Sequence, residues 1–180
     1  MSDRRHFLTS LPLAALALAS ARTDAAPYTL PPGVRVPKFD FVYECDATLL
    51  APLDFGATNE GHRRVIPITG GTVRGPRIQG SLLNGGADWN LTRNDGGSSV
   101  EADYYLRTDD GVLIRIVNRG VSGPTGSAGG TDEAFFMFTT PVFEAPAGPY
   151  EWLNHGTFVA TLGARKDSHN AVLIRVFQVV

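Results

Sequence analysis

The chain has one cysteine and little charge, and both shortages exclude classes of protein. A single cysteine, Cys45, cannot form an intrachain disulfide or a cysteine-built zinc site. Charged residues make up 19% of the 180 residues and the formal net charge is −2, so the chain has no basic field for nucleic acid. Because 43% of the residues are hydrophobic, a disordered chain is excluded as well. We expect one folded domain with a real core.

The spacings of common metal and phosphate sites are also missing. The four histidines form neither His-x-His nor His-Glu-x-x-His. The glycine-rich run at 70–75 has no Lys-Ser/Thr ending and precedes no predicted helix, so it lacks the dipole of a phosphate loop. We therefore predict no metal site.

Residues 1–26 have the three-part form of an export signal. Arg4 and Arg5 precede a Phe-Leu pair, an alanine- and leucine-rich run follows, and small residues suitable for cleavage come next. The run is too short and too rich in alanine for a membrane span. Paired arginines indicate the twin-arginine type, which exports folded proteins; an ordinary secretory signal is the alternative. The sequence predicts a periplasmic protein, free of the membrane once the signal is removed, with residues 27–180 as its domain.

Beyond Pro37 the hydrophobic residues recur at every second position. This alternation is clear at 39–49 and 100–107, and the chain ends in the β-branched run 172–180. Gly-Gly and Asp-Gly pairs separate such segments, as in β-hairpins. Eight to ten antiparallel strands either form two packed sheets or close on themselves. Since polar and aromatic residues occur on both faces, we predict an all-β domain, a single antiparallel barrel with an interior pocket, over a sandwich with a dry core.

Three residues are predicted to carry chemistry. Asp88 precedes an aromatic residue that would raise its pKa, which suits a general acid or base; the alternative is a carboxylate that binds amides of its own turn. The phenol of Tyr104 would donate to a substrate oxygen, unless it is an ordinary core tyrosine. The guanidinium of Arg64 would hold an anion, while its neighbour in the strand faces the opposite way.

Four further residues are predicted to bind substrate. Trp89 and Trp152 would offer flat walls to an aromatic ligand, with core or rim packing as the alternative. Glu44 interrupts an apolar stretch and needs an arginine partner; a structural ion pair is the first interpretation and a general base the second. Asn154 would orient a substrate oxygen or close a strand end.

Several motifs together resemble a known family. They occur in this order along the chain: RVIPITGGTV at 64–73, GGADW at 85–89, TDDG at 108–111, NRG at 118–120 and YEWLN at 150–154. This set resembles the domain-of-unknown-function 3237 family, an uncharacterised protein family, over about residues 39–180. The resemblance implies an antiparallel β-barrel, in agreement with the alternation. One motif departs from it: members often have Asp-Ala-Arg-Tyr where this chain has Glu101-Ala102-Asp103-Tyr104.

The resemblance also implies an activity. Some members are linked to the bacterial breakdown of lignin-derived aromatics in cofactor-independent lyase steps such as decarboxylation. We therefore expect a lyase of a small phenolic or aromatic acid that needs no cofactor, in which Arg64 holds the anion and Asp88 and Tyr104 move a proton. The alternative is a periplasmic barrel that binds a small molecule without catalysis. The long terminal strand is compatible with a homodimer, and no nucleic acid partner is expected.

Overall fold

A computed structural model of the protein describes residues 29–123, 136–165 and 170–180. The chain divides into two compact units, Met1–Arg35 and Val36–Val180. In the described part of the first unit, the amide of Val34 donates to the carbonyl of Pro31 at 3.3 Å and forms a turn. The predicted export signal lies outside the described residues. Within these ranges, no helix has the length and hydrophobicity needed to cross a membrane.

The second unit consists of strands and one short 3₁₀ helix, Glu151–His155. The strands are β1 Phe39–Leu49, β2 Leu53–Ala57, β3 Gly61–Arg74, β4 Gly80–Leu82, β5 Gly86–Arg93, β6 Ser98–Thr108, β7 Leu113–Ser122, β8 Phe136–Glu144, β9 Phe158–Ala164 and β10 Ala171–Val179. Every pairing between them is antiparallel, which allows short hairpin connections between strands that follow one another.

Eight of these strands close into a barrel. The order β1-β10-β9-β8-β7-β6 continues through β5 to β3, and β3 pairs with β1 to complete the circle. The short strand β4 lies between β3 and β6 beside β5, and β2 pairs with β3. The prediction of an all-β antiparallel barrel is confirmed.

Side-chain alternation decides what enters the barrel. On β6, Tyr104 and Leu106 are buried while Tyr105 is exposed, as the period of two requires. On β7, Ile114 and Ile116 are buried in the same way. Cross-strand partners lie on the same face of a sheet, so the register carries this assignment from strand to strand.

One end of the barrel is filled with apolar side chains, and we call it the packed end. The ring of Phe143 lies 6.4 Å from the ring of Tyr43 and 4.8 Å from that of Phe158, both edge to face. Ile78, from the connection between β3 and β4, and Leu153, from the 3₁₀ helix, are each 1% exposed. The polar side chains that face the lumen therefore lie in the remainder of the barrel.

Glycine lets two strands approach closely where the barrel closes. Gly71 of β3 has φ of +153° and lies opposite Ala47 of β1. A Cβ atom there would collide with the carbonyl oxygen of Asp46. Any larger residue would therefore have to push β1 and β3 apart.

Candidate active site in the barrel lumen

Polar side chains face the lumen on two neighbouring strands. Arg64 of β3 lies opposite Asn90 of β5, and Ile66 lies opposite Asp88. Asp88 also lies opposite Ala102 of β6, which shares the inward face of Tyr104. The structure therefore places a guanidinium, an amide and a carboxyl group side by side inside the barrel.

Among the described residues, Arg64 is a cation without an ion-pair partner. Its Nη2 donates a hydrogen bond to Oδ1 of Asn90 at 3.0 Å, and Asn90 is 7% exposed. Its Nε is buried and has no hydrogen-bond partner within the described ranges. Neighbouring Arg63, by contrast, pairs with Glu60 at 2.7 Å. Arg64 is half-buried, and its charge lowers the pKa of Asp54, which lies opposite it on β2. With no acid in ion-pair contact, the guanidinium is suited to receive an anion.

Asp88 has an acidity suited to proton transfer near neutral pH. Burial raises the pKa of its carboxyl group from 3.8 to about 6, although hydrogen bonds from the Glu101 amide and from Asn90, and the charge of Arg64, all lower it. Oδ1 of Asp88 accepts from the amide of Glu101 at 3.1 Å. Asp88 thus binds an amide of the neighbouring strand, and a pKa near 6 is typical of catalytic acids and bases.

The lumen is open to solvent beside these groups. Arg64, Ile66, Asp88 and Ala102 all face inward, yet each is only half-buried. By contrast, Tyr104, one inward position nearer the packed end than Ala102 on β6, is 1% exposed. Asp88 is therefore accessible to water.

Two phenols lie deeper in the barrel. Burial raises the pKa of both Tyr43 and Tyr104 well above the ordinary value, so both stay protonated at neutral pH. The two phenols interact electrostatically, but neither hydroxyl has a hydrogen-bond partner of normal geometry in the described part of the chain. Tyr104 is thus beside the candidate site with its donor unused, and Tyr43, which the sequence analysis did not single out, joins it.

Two more polar atoms in the lumen lack hydrogen-bond partners among the residues that the structure describes. Asn118 lies opposite Ala102 and is 3% exposed, and the unpartnered atom is its Oδ1. Thr139, 2% exposed, lies opposite Gly120, and the unpartnered atom is its Oγ1. The sequence analysis missed Asn90, Asn118 and Thr139. The alternation with Ile114 and Ile116 was the signal that places Asn118 inside.

Glu44 and Trp89 lie on the outer face of the barrel. Glu44 pairs with Arg175 at 3.2 Å and with Arg74 at 3.9 Å, which is the structural ion pair considered from the sequence. Trp89 is 48% exposed and its ring lies 6.3 Å from that of Phe55 on β2. Neither side chain contacts the lumen.

Trp152 and Asn154 belong to the 3₁₀ helix at the packed end. The guanidinium of Arg77 lies 3.4 Å above the ring of Trp152, a cation–π contact. The amide of Asn154 accepts from the nitrogen and donates to the carbonyl of Ala145, both at 2.8 Å. Asn154 thus holds the 3₁₀ helix to the residue that follows β8, and Trp152 contacts the connection between β3 and β4. The structure does not bring either residue to Asp88.

Residues 37–179 match the family model described as "Protein of unknown function (DUF3237)". The chain belongs to the DUF3237 family. A UPF0311 protein of Rhodopseudomonas palustris is 32% identical over 148 residues, which are 78% of this chain and 95% of that protein. A UPF0311 protein of Clostridium acetobutylicum is 29% identical over 150 residues, 78% of this chain and 93% of the relative.

Solved structures share the fold of this chain. The crystal structure of a protein of unknown function from Clostridium acetobutylicum superposes with a TM-score of 0.72 at 28% identity, covering 82% of this chain and 99% of that one. A β-barrel-like protein from Acinetobacter baumannii gives 0.70 at 30% identity, over 86% and 100%. Asp103, the residue at which this chain departs from the family motif, points outward and pairs with Arg115 at 2.7 Å.

One distant relative of this chain is an enzyme. The hydroalkoxylation enzyme phnH of Penicillium herquei is 22% identical over 121 residues, 67% of this chain and 71% of that protein. Hydroalkoxylation adds the O–H bond of an alcohol across a carbon–carbon double bond and is a lyase-type reaction. A lyase-type enzyme therefore occurs among the homologues of a family that is otherwise uncharacterised.

Proposed function

We propose that this protein is a cofactor-independent lyase that decarboxylates a small phenolic acid inside the barrel. Asp88 acts as the general acid, Arg64 holds the substrate anion, and Tyr104 donates to a substrate oxygen. The predicted signal at 1–26 places the reaction in the periplasm. One observation carries the proposal: two groups occur in the same lumen. One is a water-accessible carboxyl group of pKa about 6, and the other is a guanidinium that has no ion-pair partner among the described residues.

The proposed chemistry begins with protonation of a double bond. Asp88 gives its proton to the alkene carbon that bears the carboxylate. At the same time the phenol gives its proton to water, which the product phenolate takes back at the end, and the electron pair of the phenol oxygen forms a quinone methide. The bond to the carboxylate then breaks and CO₂ leaves. Its electron pair restores the double bond and the phenolate, and solvent returns a proton to Asp88. A positioned acid of this kind contributes roughly 10²–10⁴-fold.

Addition of a hydroxyl group is the second candidate, favoured by the distant enzyme relative. It also starts with protonation of an alkene by Asp88, here on a side chain of a phenol. The phenolic hydroxyl then bonds to the adjacent carbon and gives its proton to the Asp88 carboxylate. Both reactions need positioning and proton transfer without a redox step, which suits the side chains of this lumen.

Incubation with defined substrates tests the proposal. Purified protein would be mixed separately with 4-hydroxycinnamic acid and with a 2-prenylphenol, and the products would be identified by mass spectrometry. Loss of CO₂ from the acid is the expected result. An isomer of unchanged mass from the prenylphenol would favour addition instead.

Matched variants separate catalysis from binding. Asp88→Asn should lower turnover roughly 10²–10⁴-fold, and Tyr104→Phe should lower it less, both with folding retained. Asp103→Asn, whose side chain is on the outer face of β6, should leave turnover unchanged. Saturable binding of the phenolic acid without any product would reject the lyase and support the non-catalytic binding barrel.

A further inference from the structure

Asn90 stands between the two charged groups of the candidate site. Its Oδ1 accepts from Nη2 of Arg64 at 3.0 Å, and its side chain also provides a hydrogen bond that lowers the pKa of Asp88. Asn90 is 7% exposed, so water does not readily replace either contact. The amide therefore binds the guanidinium directly and also lowers the pKa of the neighbouring Asp88 carboxyl group.

Without this amide, Arg64 could reach Asp88. Arg64 lies directly opposite Asn90, and Asp88 is the next inward residue along β5. Diagonal neighbours across antiparallel strands are about 7–8 Å apart, well within reach of an arginine side chain. Within the described residues Arg64 forms no ion pair with Asp88, and its Nη2 donates to Asn90 instead.

On the described parts of the adjacent strands, no other ionised side chain competes for Asp88. Arg63 of β3 alternates outward and pairs with Glu60. On β6, Glu101 pairs with Arg119 at 2.9 Å and Asp103 pairs with Arg115, both on the outer face. The inward phenol of Tyr104 stays neutral. Arg64 is thus the charge whose distance from Asp88 matters.

We propose that Asn90 is a positioning residue that holds the Arg64 guanidinium away from the Asp88 carboxyl group. The inference rests on the proposed function. With Asn90 in place, the Arg64 guanidinium remains available to a substrate anion, and the acid form of Asp88 remains available to the substrate alkene. A direct Arg64–Asp88 ion pair would occupy both groups and leave neither available.

Removal of Asn90 has two opposite effects on the pKa of Asp88, and the larger effect decides whether this pKa rises or falls. Loss of a neutral amide hydrogen bond raises the pKa of Asp88 slightly. Contact with a guanidinium typically lowers the pKa of an aspartate by about 1–3. The second effect is larger, so the pKa of Asp88 should fall.

The test measures the carboxyl pKa of Asp88 by ¹³C NMR in the substrate-free protein, with the resonance assigned through Asp88→Asn. In Asn90→Ala the pKa should fall from about 6 to between about 3 and 5. In Asn90→Ala/Arg64→Met it should return to about 6 or higher. Asn90→Val, which suits a β-strand, replaces Asn90→Ala if that variant does not fold. Thr92→Val, an exposed change on the same strand, is the control and should leave the pKa unchanged.

An unchanged or raised pKa of Asp88 in the single Asn90 variants would overturn the inference. So would a lowered pKa that persists after Arg64 is removed. Because no substrate is present, these outcomes are separate from the lyase proposal. The expected pKa values together with no product would reject the lyase alone, and turnover with an unchanged pKa would reject the role of Asn90 alone.

Discussion

At the residue scale, Asp88 combines burial with access to solvent. Burial in the barrel wall favours its neutral form, while its half-buried position keeps part of it accessible to water. Its hydrogen bond from the Glu101 amide fixes the orientation of the carboxyl group. A carboxyl group that is fixed and keeps a sizeable protonated fraction up to about pH 6 can act as a general acid.

The activity should therefore depend on the ionisation of Asp88. Because the acid form donates the proton, kcat should be highest below pH about 6 and fall as the pH rises through the pKa of Asp88. The measurement is kcat for 4-hydroxycinnamic acid between pH 5 and 9. A kcat that rises through pH 6 would mean that the ionised carboxylate acts, as a base.

Asp88 should also reduce stability at high pH. Its pKa is about 6 in the folded protein, against 3.8 for the hydrated carboxyl group of an unfolded chain, so the folded protein holds this proton more tightly. Ionisation above pH 6 then costs stability, and this cost disappears below pH about 4. Asp88→Asn should therefore be more stable than the parent by about 1–3 kcal/mol at pH 8.

Urea denaturation of both proteins at pH 8 and pH 4 measures this difference. The gap in the free energy of unfolding should shrink towards zero at pH 4, where Asp88 is largely neutral in the folded protein and half-neutral in the unfolded chain. Equal stability at pH 8 would contradict the raised pKa. Asp103→Asn, which removes a carboxylate paired with Arg115, is the control and should not stabilise the protein.

At the scale of the strand, alternation predicted the barrel but not which face is inside. On β5, Asp88 faces the lumen and Trp89 faces outward, the reverse of what hydrophobicity alone favours. Trp89 is accommodated there because Phe55 of β2 packs beside it, a contact between segments far apart in the sequence. Glu44 faces outward for a similar reason, since Arg175 and Arg74 come from two other strands.

Residue type and the alternation of side chains along a strand were sufficient to predict part of the candidate site. Arg64 and Tyr104 were singled out as members of pairs whose neighbours face the opposite way, and the structure places both inward. Asn90 was missed because its importance comes from Arg64, 26 residues away in the sequence. Trp152 was predicted to bind substrate because of its flat ring. Its position in a 3₁₀ helix, under Arg77, depends on tertiary contacts that the sequence does not show.

The contact between β1 and β3 should tolerate no side chain at Gly71. In Gly71→Ala the new Cβ meets the carbonyl oxygen of Asp46, and the positive φ adds strain. Overpacking of this kind typically costs about 1–3 kcal/mol. Thermal denaturation should show a lower Tm for Gly71→Ala. Gly123→Ala has open space around the new Cβ and should melt as the parent does.

At the scale of the whole molecule, the outer surface carries an apolar patch, which consists of Leu53, Phe55 and Trp89. These side chains are 59%, 60% and 48% exposed. Contiguous exposed apolar patches of this kind commonly mark interaction sites. We expect this patch to be the contact surface if the protein forms the homodimer with which its sequence is compatible.

Sedimentation equilibrium tests the expected dimer. The parent should show the mass of two chains at micromolar concentration, and Phe55→Ser should shift it towards one chain. Phe138→Ser, at an exposed aromatic residue of β8, is the control. A parent that stays monomeric at every concentration would contradict the expectation, without affecting the lumen chemistry.

The packed end also determines how molecules travel through the barrel. Phe143, Phe158 and Leu153 fill one end of the lumen, so a substrate cannot enter by one opening while its product leaves by the other. Both must share a single passage. The product then has to leave before the next substrate molecule can bind, and a bulky product should act as a competitive inhibitor of its own formation.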